Sequence, residues 1–386
     1  MKWLERWRAP RFDLHFNDGP VVRNRSPNRP LVARFLLHGR TEYEVRLEPD
    51  HWGKAFKKYA APWEIRIESA RGRLIAAHRF DPRGRSVLVV IDSRSLGDTL
   101  AWIPQVERYA LAHPETTVYC SHYWPELGFE GTYPRLRFIA PDTEVKDCYA
   151  SFLLGYFLGD ANRHPQDPRQ VPLPKIAADI LGVGYAEIRP RLDIGNRARP
   201  LADPYVCLST ASTAGCKLWQ HPGGWQRVVD RLHELGYQPV LIQKEPAQLE
   251  RVLNLSGDAP IQERITWLLH CEFFVGLGSG LSWLAWAAGK PVIMIAGFSQ
   301  PYTEFQLDCL RVINRDVCHG CWNDPGHTFS RGDWDWCPRH RNTERQFECS
   351  RGITSAEVES AIGALAERYP ADRRPDETAR PDREIS

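Results

Sequence analysis

Val87-Leu-Val-Val-Ile91, followed closely by Ser93-Arg-Ser-Leu-Gly-Asp98-Thr-Leu-Ala-Trp102, reads as a strand, a small-residue turn and the start of a helix. An unbroken apolar run of this length suits a parallel strand covered on both faces. The alternation continues with a helix over Thr99–Ala112, a strand near Thr117–Cys120 and another at Leu136–Ile139. Tyr149–Phe157 is a further strand candidate, and Lys175–Leu181 reads as a helix ending at Gly182. Strands alternating with helices imply an α/β unit built on a parallel sheet.

Upstream the rhythm differs. Tyr43-Glu-Val-Arg-Leu47 and Trp63-Glu-Ile-Arg-Ile-Glu68 alternate apolar and polar residues, and Val32–Leu37 and Leu74–Phe80 are also strand-like. Period-two patterns with turns between them predict a small N-terminal all-β domain over residues 1–85. Downstream, the polar, proline-containing Gly195–Pro204 reads as a linker that ends an α/β domain over 86–200.

The α/β rhythm then restarts over 201–315. Strands at Tyr205–Leu208, Pro239–Gln243, Glu272–Gly276 and Pro291–Ala296 alternate with helices at Trp225–Leu235, Gln262–His270 and Leu281–Ala288. The expected fold class is therefore α/β, with two Rossmann-like domains facing a cleft. A cysteine-rich segment over 316–352 follows, then a C-terminal helix within 353–370 capped by Thr354 or Ser355, and a charged tail over 371–386 expected to be disordered.

Loops at the carboxyl ends of parallel strands are where open α/β sheets bind ligands. In the first unit Gly97 lets backbone approach a ligand, and Asp98 sits at the start of the helix. Asp98 has two readings: a helix N-cap worth about 1 kcal/mol, or a general base for a substrate hydroxyl. In the second unit Ser209-Thr-Ala-Ser-Thr-Ala-Gly-Cys-Lys217 offers small hydroxyl residues and a lysine, a set suited to a diphosphate, with Ser212, Thr213 and Lys217 as candidates. The bland alternative is an exposed loop with a surface lysine. Gly278-Ser279-Gly280-Leu281 opens a helix, where free N–H groups make an anion site. Neither loop has dinucleotide or P-loop spacing. Gln243, at the end of its strand, is the candidate for adenine.

Cys318 and Cys321 form a C-x-x-C pair, with Cys337 and Cys349 beyond a loop rich in Trp, Asp and Arg. Two sulfurs on one turn and two more behind them can close a tetrahedral metal cage. Buried core cysteines or disulfides are the alternative, but few aliphatic residues here can build a core. A metal would supply that folding free energy. Zinc and iron both accept four thiolates, and such a closed site is structural.

Composition excludes several classes. The net charge of +2 with 25% charged residues argues against nucleic acid, although Arg331, Arg339, His340, Arg341 and Arg345 form a modest basic cluster. Apolar runs are strand-sized, so no membrane span and no stable membrane association are expected. The N-terminal stretch lacks a signal-peptide core, and scattered thiols suit a reduced, cytoplasmic protein.

Lys217-Leu-Trp219, Gly278-Ser-Gly-Leu281 and Ala287-Ala-Gly-Lys-Pro-Val292 resemble motifs of the ADP-heptose glycosyltransferases of GT-B fold. Lipopolysaccharide members of that family carry Asp-Thr-Gly-Leu followed by His, where this chain has Gly278, Ser279 and Trp283. The Ser-Leu-Gly-Asp-Thr-Leu-Ala-Trp stretch, the β-rich start and the four-cysteine finger are similar to a narrower branch, the bacterial autotransporter heptosyltransferases. This resemblance implies inverting transfer of heptose from ADP-heptose to serine hydroxyls of an adhesin passenger domain. It assigns Asp98 as base, Lys217 to phosphate and ferric iron to the finger; Leu96, Gly97 and Thr99, beside Asp98, are further substrate-binding candidates. It further implies a homo-oligomer of twelve subunits.

Overall fold

The computed structural model describes residues 11–330 and 332–371 of the chain. Arg331 and the tail beyond Ala371 lie outside the described residues. Two compact units divide the chain, Met1–Pro190 and Arg191–Ser386.

The first unit opens with β1 (Phe12–Asn17), β2 (Val21–Asn24), β3 (Leu31–Leu37), β4 (Arg40–Leu47), β5 (Trp52–Lys54), β6 (Trp63–Ser69) and β7 (Leu74–Arg79). It continues through β8 (Ser86–Ile91), α1 (Leu96–Ala112), β9 (Thr117–Ser121), α2 (Phe129–Thr132), β10 (Leu136–Ile139), β11 (Cys148–Leu154) and α3 (Leu173–Leu181). β3, β4, β6 and β7 form a four-stranded antiparallel sheet in the order β4-β3-β6-β7. β1, β2 and β5 leave that sheet and extend the α/β sheet, whose order is β10-β9-β8-β11-β1-β2-β5. β1 joins by parallel pairing of Phe16 with Ala150 and Asn17 with Ser151.

The N-terminal strands thus differ from the expected separate β domain over 1–85. Burial supplies the reason. Phe16 lies 5.0 Å from Phe80 and 5.2 Å from Tyr149, ring centre to ring centre, so β1, the residue after β7 and β11 share one aromatic core. Pairing with β1 also removes β11 from the exposed edge of the sheet.

The second unit holds β12 (Tyr205–Leu208), α4 (Gly224–Glu234), β13 (Gln238–Leu241), β14 (Leu253–Asn254), α5 (Ile261–His270), β15 (Phe274–Leu277), α6 (Gly280–Ala287), β16 (Val292–Ile295) and β17 (Cys309–Val312). The short α7 (Glu348–Arg351) and α8 (Ser355–Arg368) close it. All six strands are parallel, in the order β14-β13-β12-β15-β16-β17, a doubly wound sheet. Every residue of β12, β15 and β16 is buried, as unbroken apolar runs require of strands covered on both faces. Thr354 caps α8 in a reciprocal capping box with Glu357, which stabilises the helix start. The helix then buries Val358, Ile362 and Leu365 in the core of this unit. No helix among the described residues is long and apolar enough to cross a membrane.

Candidate functional site

Each α/β sheet reverses its strand order once. In the first unit the reversal falls between β8 and β11, and in the second between β12 and β15. Ligands of doubly wound sheets bind outside the carboxyl ends of the strands at such points. Three of the sequence-selected loops follow β8, β12 and β15.

After β8, the chain turns at Ser93 and enters α1. Ser95, not Asp98, is the N-cap: it has extended backbone and its hydroxyl accepts from the Asp98 N–H at 3.5 Å. The capping alternative for Asp98 is thereby corrected. Asp98 stands in the first helical turn, where a carboxylate is favoured by the helix dipole. It is 9% exposed, and its Oδ2 accepts a 2.5 Å hydrogen bond from the Ser93 hydroxyl. Ser93 Oγ in turn accepts from the Ser95 N–H at 3.1 Å, so its own proton is directed at the carboxylate. Among the neighbours, Leu96 is half-buried and Gly97 and Thr99 are buried. The Thr99 hydroxyl is turned back onto the Ser95 carbonyl at 3.2 Å. Trp124 Nε1 donates to the Arg94 carbonyl at 3.1 Å, and the Arg94 guanidinium lies 4.7 Å from the Tyr123 ring centre. The loop after β9 therefore clamps the loop that carries Ser93.

After β12, Ser209 and Ser212 bury hydroxyl oxygens with no hydrogen-bond partner among the described residues. Buried polar groups are ordinarily satisfied, so these oxygens mark a place for a polar ligand or water. Thr213 is exposed, and Lys217 ends a single 3-10 turn, Gly215–Lys217, half-buried. Lys217 Nζ stands 5.8 Å from the centre of the Phe298 ring. Gln243 is buried, and its Oε1 accepts from Thr210 N at 2.6 Å, Thr210 Oγ1 at 3.0 Å and Ala211 N at 3.1 Å. Its Nε2 donates to the Glu245 carbonyl at 2.8 Å. The Gln243 amide thus shapes the start of this loop.

After β15, Gly278 and Ser279 lead into α6, and Ser279 makes no side-chain cap to the helix. The first-turn N–H groups at Gly280 and Leu281 have no intrahelical partner by construction of a helix. A Cβ on Gly278 would lie 3.1 Å from Glu304 Oε1. Glu304 is held by Arg311 Nη1 at 2.6 Å and by the Ser299 hydroxyl at 3.0 Å. This buried ion pair beside the glycine loop had no signal in the local sequence. Ser93 did: it opens the same turn as Asp98.

The cysteine segment folds onto the same end of the second unit. Cys321 and Cys337 are buried in one cluster with Cys216, Phe298, Trp336 and Phe347, and Cys318 packs against it. Burial, and then the neighbouring Cys318, push the Cys321 thiol up to about 12. Burial likewise pushes the Cys349 thiol up, with Cys321, Cys337 and Cys318 adding to the effect. The neighbouring thiols thus add to burial in disfavouring the thiolates of Cys321 and Cys349, and a bound cation would relieve both. His340 and Glu348 also bring ligand atoms within 4.8 Å of one another and of Cys318. Glu348 is already engaged by Arg345 at 2.6 Å and by the Cys318 N–H at 3.0 Å. The basic cluster is largely neutralised: Arg339 pairs with Asp324, Arg341 with Asp333 and Arg345 with Glu348.

The sequence pattern of glycosyltransferase family 9 (heptosyltransferase) matches residues 175–305. The chain is 37% identical over 327 residues to the autotransporter heptosyltransferase TibC of Escherichia coli O78:H11 (strain H10407 / ETEC), covering 81% of this chain and 80% of TibC. It is 35% identical over 321 residues to BimC of Burkholderia thailandensis, an inactive autotransporter heptosyltransferase, covering 80% of this chain and 75% of BimC. The crystal structure of TibC, dodecameric, iron-containing and in complex with ADP-D-beta-D-heptose, superposes with a TM-score of 0.87 at 33% identity, over 94% of this chain and 98% of TibC. E. coli ADP-heptose lps heptosyltransferase II shares the fold, with a TM-score of 0.52 at 14% identity over 73% of this chain and 99% of that one. With identity above one third across four fifths of its length, this chain belongs to the autotransporter heptosyltransferases of glycosyltransferase family 9.

Proposed function

We propose that this protein transfers heptose from ADP-heptose to serine hydroxyls of an autotransporter adhesin passenger domain, with inversion at the sugar and on a fold of GT-B type. The observation that carries the reading is the placement of the Lys217 and Gly278–Leu281 loops on the two strands that flank the reversal point of the second sheet. A lysine and free helix N–H groups there suit a departing diphosphate.

In this mechanism the serine oxygen attacks the anomeric carbon while the bond from that carbon to the diphosphate oxygen breaks. The serine proton passes to the Asp98 carboxylate, which the Ser93 hydroxyl holds in one orientation. Lys217 and the amides at Gly280 and Leu281 take up the negative charge that develops on ADP. Ser212 and Thr213 line the approach to the diphosphate, and Leu96, Gly97 and Thr99 shape the acceptor side.

The finger is a metal site held by Cys318, Cys321, Cys337 and Cys349. Ferric iron is the metal proposed, in keeping with iron-containing TibC, and its role is to hold the fold. A ring of twelve subunits, and action in the cytoplasm before export of the adhesin, complete the proposal.

The test is incubation of the purified protein with ADP-heptose, with and without a passenger fragment, following ADP release and the mass of the fragment. ADP release coupled to a heptose-sized mass increase on serine is expected. Transfer to a lipopolysaccharide core instead would give the enzyme a different acceptor. Absence of any turnover would place the chain beside its inactive relative.

A further inference from the structure

The finger is not an appendage. Gly215, two residues before Lys217, donates its N–H to the Trp334 carbonyl at 2.9 Å. A Cβ at Gly215 would stand 2.6 Å from that oxygen and 3.0 Å from the Trp334 indole nitrogen, closer than packing allows. Glycine is therefore required here by approach of the finger. Cys216 enters the same cluster as Cys321, Cys337 and Trp336. Phe298, the ring beneath Lys217 Nζ, lies 5.7 Å edge-on from Trp336 and 6.0 Å from Trp322, centre to centre. A Cβ on the preceding Gly297 would overlap the Cys349 carbonyl.

We propose that the Trp334–Trp336 turn of the finger is a positioning element of the donor site, latching the Lys217 loop through Gly215 and the ring of Phe298. A lysine that serves as a point charge contributes to binding only if its loop is held still, since ordering it at the moment of binding costs affinity. The finger supplies that order in advance. Nucleotide binding and finger stability are then linked, and the linkage runs both ways. The proposal rests on the assignment of Lys217 to the diphosphate.

The test is a double-mutant cycle on ADP affinity, measured calorimetrically with the full-length protein. Gly215→Ala should weaken ADP binding about tenfold or more in the wild-type background, but by less than about twofold in Lys217→Ala, because the latch acts through that lysine. Hydrogen exchange on the wild-type protein gives a second readout that needs no variant: ADP should slow exchange at the amides of Trp334–Cys337. If Lys217→Ala binds ADP as tightly as wild type, the diphosphate assignment itself fails. If Lys217→Ala weakens ADP but Gly215→Ala does not, or costs as much in both backgrounds, the latch is wrong while the assignment stands. Finger amides indifferent to ADP would overturn the latch as well.

Discussion

At the scale of single residues, Asp98 is the sharpest test. Ser95 already caps α1, so replacing Asp98 leaves the cap in place. Asparagine has the same shape and still accepts from the Ser93 hydroxyl, so Asp98→Asn should lose only the charge–dipole contribution, about 0.3–1 kcal/mol of stability. An amide cannot take the serine proton, and turnover should fall roughly 10²–10⁴-fold. ADP affinity should survive, because the diphosphate contacts are assigned to Lys217 and α6. Glycosylation rate, ADP binding and thermal melting of the Asn variant together decide it, and near wild-type turnover would remove Asp98 from the role of base. The motif around Asp98 was legible in sequence, but its chemical setting was not. Which serine caps the helix and which one addresses the carboxylate depends on backbone angles that a residue string does not specify.

At the scale of elements, the finger tests the metal assignment. Cys337 is buried beside Cys321, so Cys337→Ser removes a sulfur from the interior of the cluster. A four-thiolate site that loses one ligand binds its metal far more weakly, and the fold it supports loosens. The wild-type protein should carry about one iron per chain with thiolate-to-metal charge-transfer colour, and the variant should carry almost none. Elemental analysis and absorption spectra check both. Full metal content in Cys337→Ser would exclude this sulfur as a ligand. Helices and strands with strong periodicity were readable to within a few residues, as with α8, expected within 353–370 and found at Ser355–Arg368. The three-residue β5 and two-residue β14 were not, because a strand that short has no period to detect.

For the whole molecule, acid should be a denaturant through two buried histidines in the first unit. Burial is the largest influence on His122 and lowers its affinity for protons, with Glu130 and Glu126 opposing. His164 is lowered in the same way, against the backbone of Gly155 and nearby aspartates. Each ring also accepts a backbone N–H while neutral, His122 from Trp124 at 3.2 Å and His164 from Phe157 at 3.0 Å. Unfolding frees both to protonate near their ordinary pKa of about 6.5. The unfolded chain therefore binds more protons below that pH, and stability should fall as pH drops through it. Melting temperatures between pH 7.5 and 5 measure this, and His122→Phe should flatten part of the slope. Stability independent of pH across that range would contradict it.

Chain order and local pattern determined much by themselves: the restarting α/β rhythm, the loops after β8, β12 and β15, and the finger. These depend on interactions between residues close in sequence, where side-chain period and turn chemistry are visible. Tertiary structure alone decided that β1 joins the α/β sheet, with the Asn17 side chain bonded to Cys148 across 131 positions. It also decided that Gln243 bonds to Thr210 and Ala211, and that Trp334 reaches Gly215. Such pairings are chosen by which surfaces can be buried together, and nothing near either residue in the sequence records that choice.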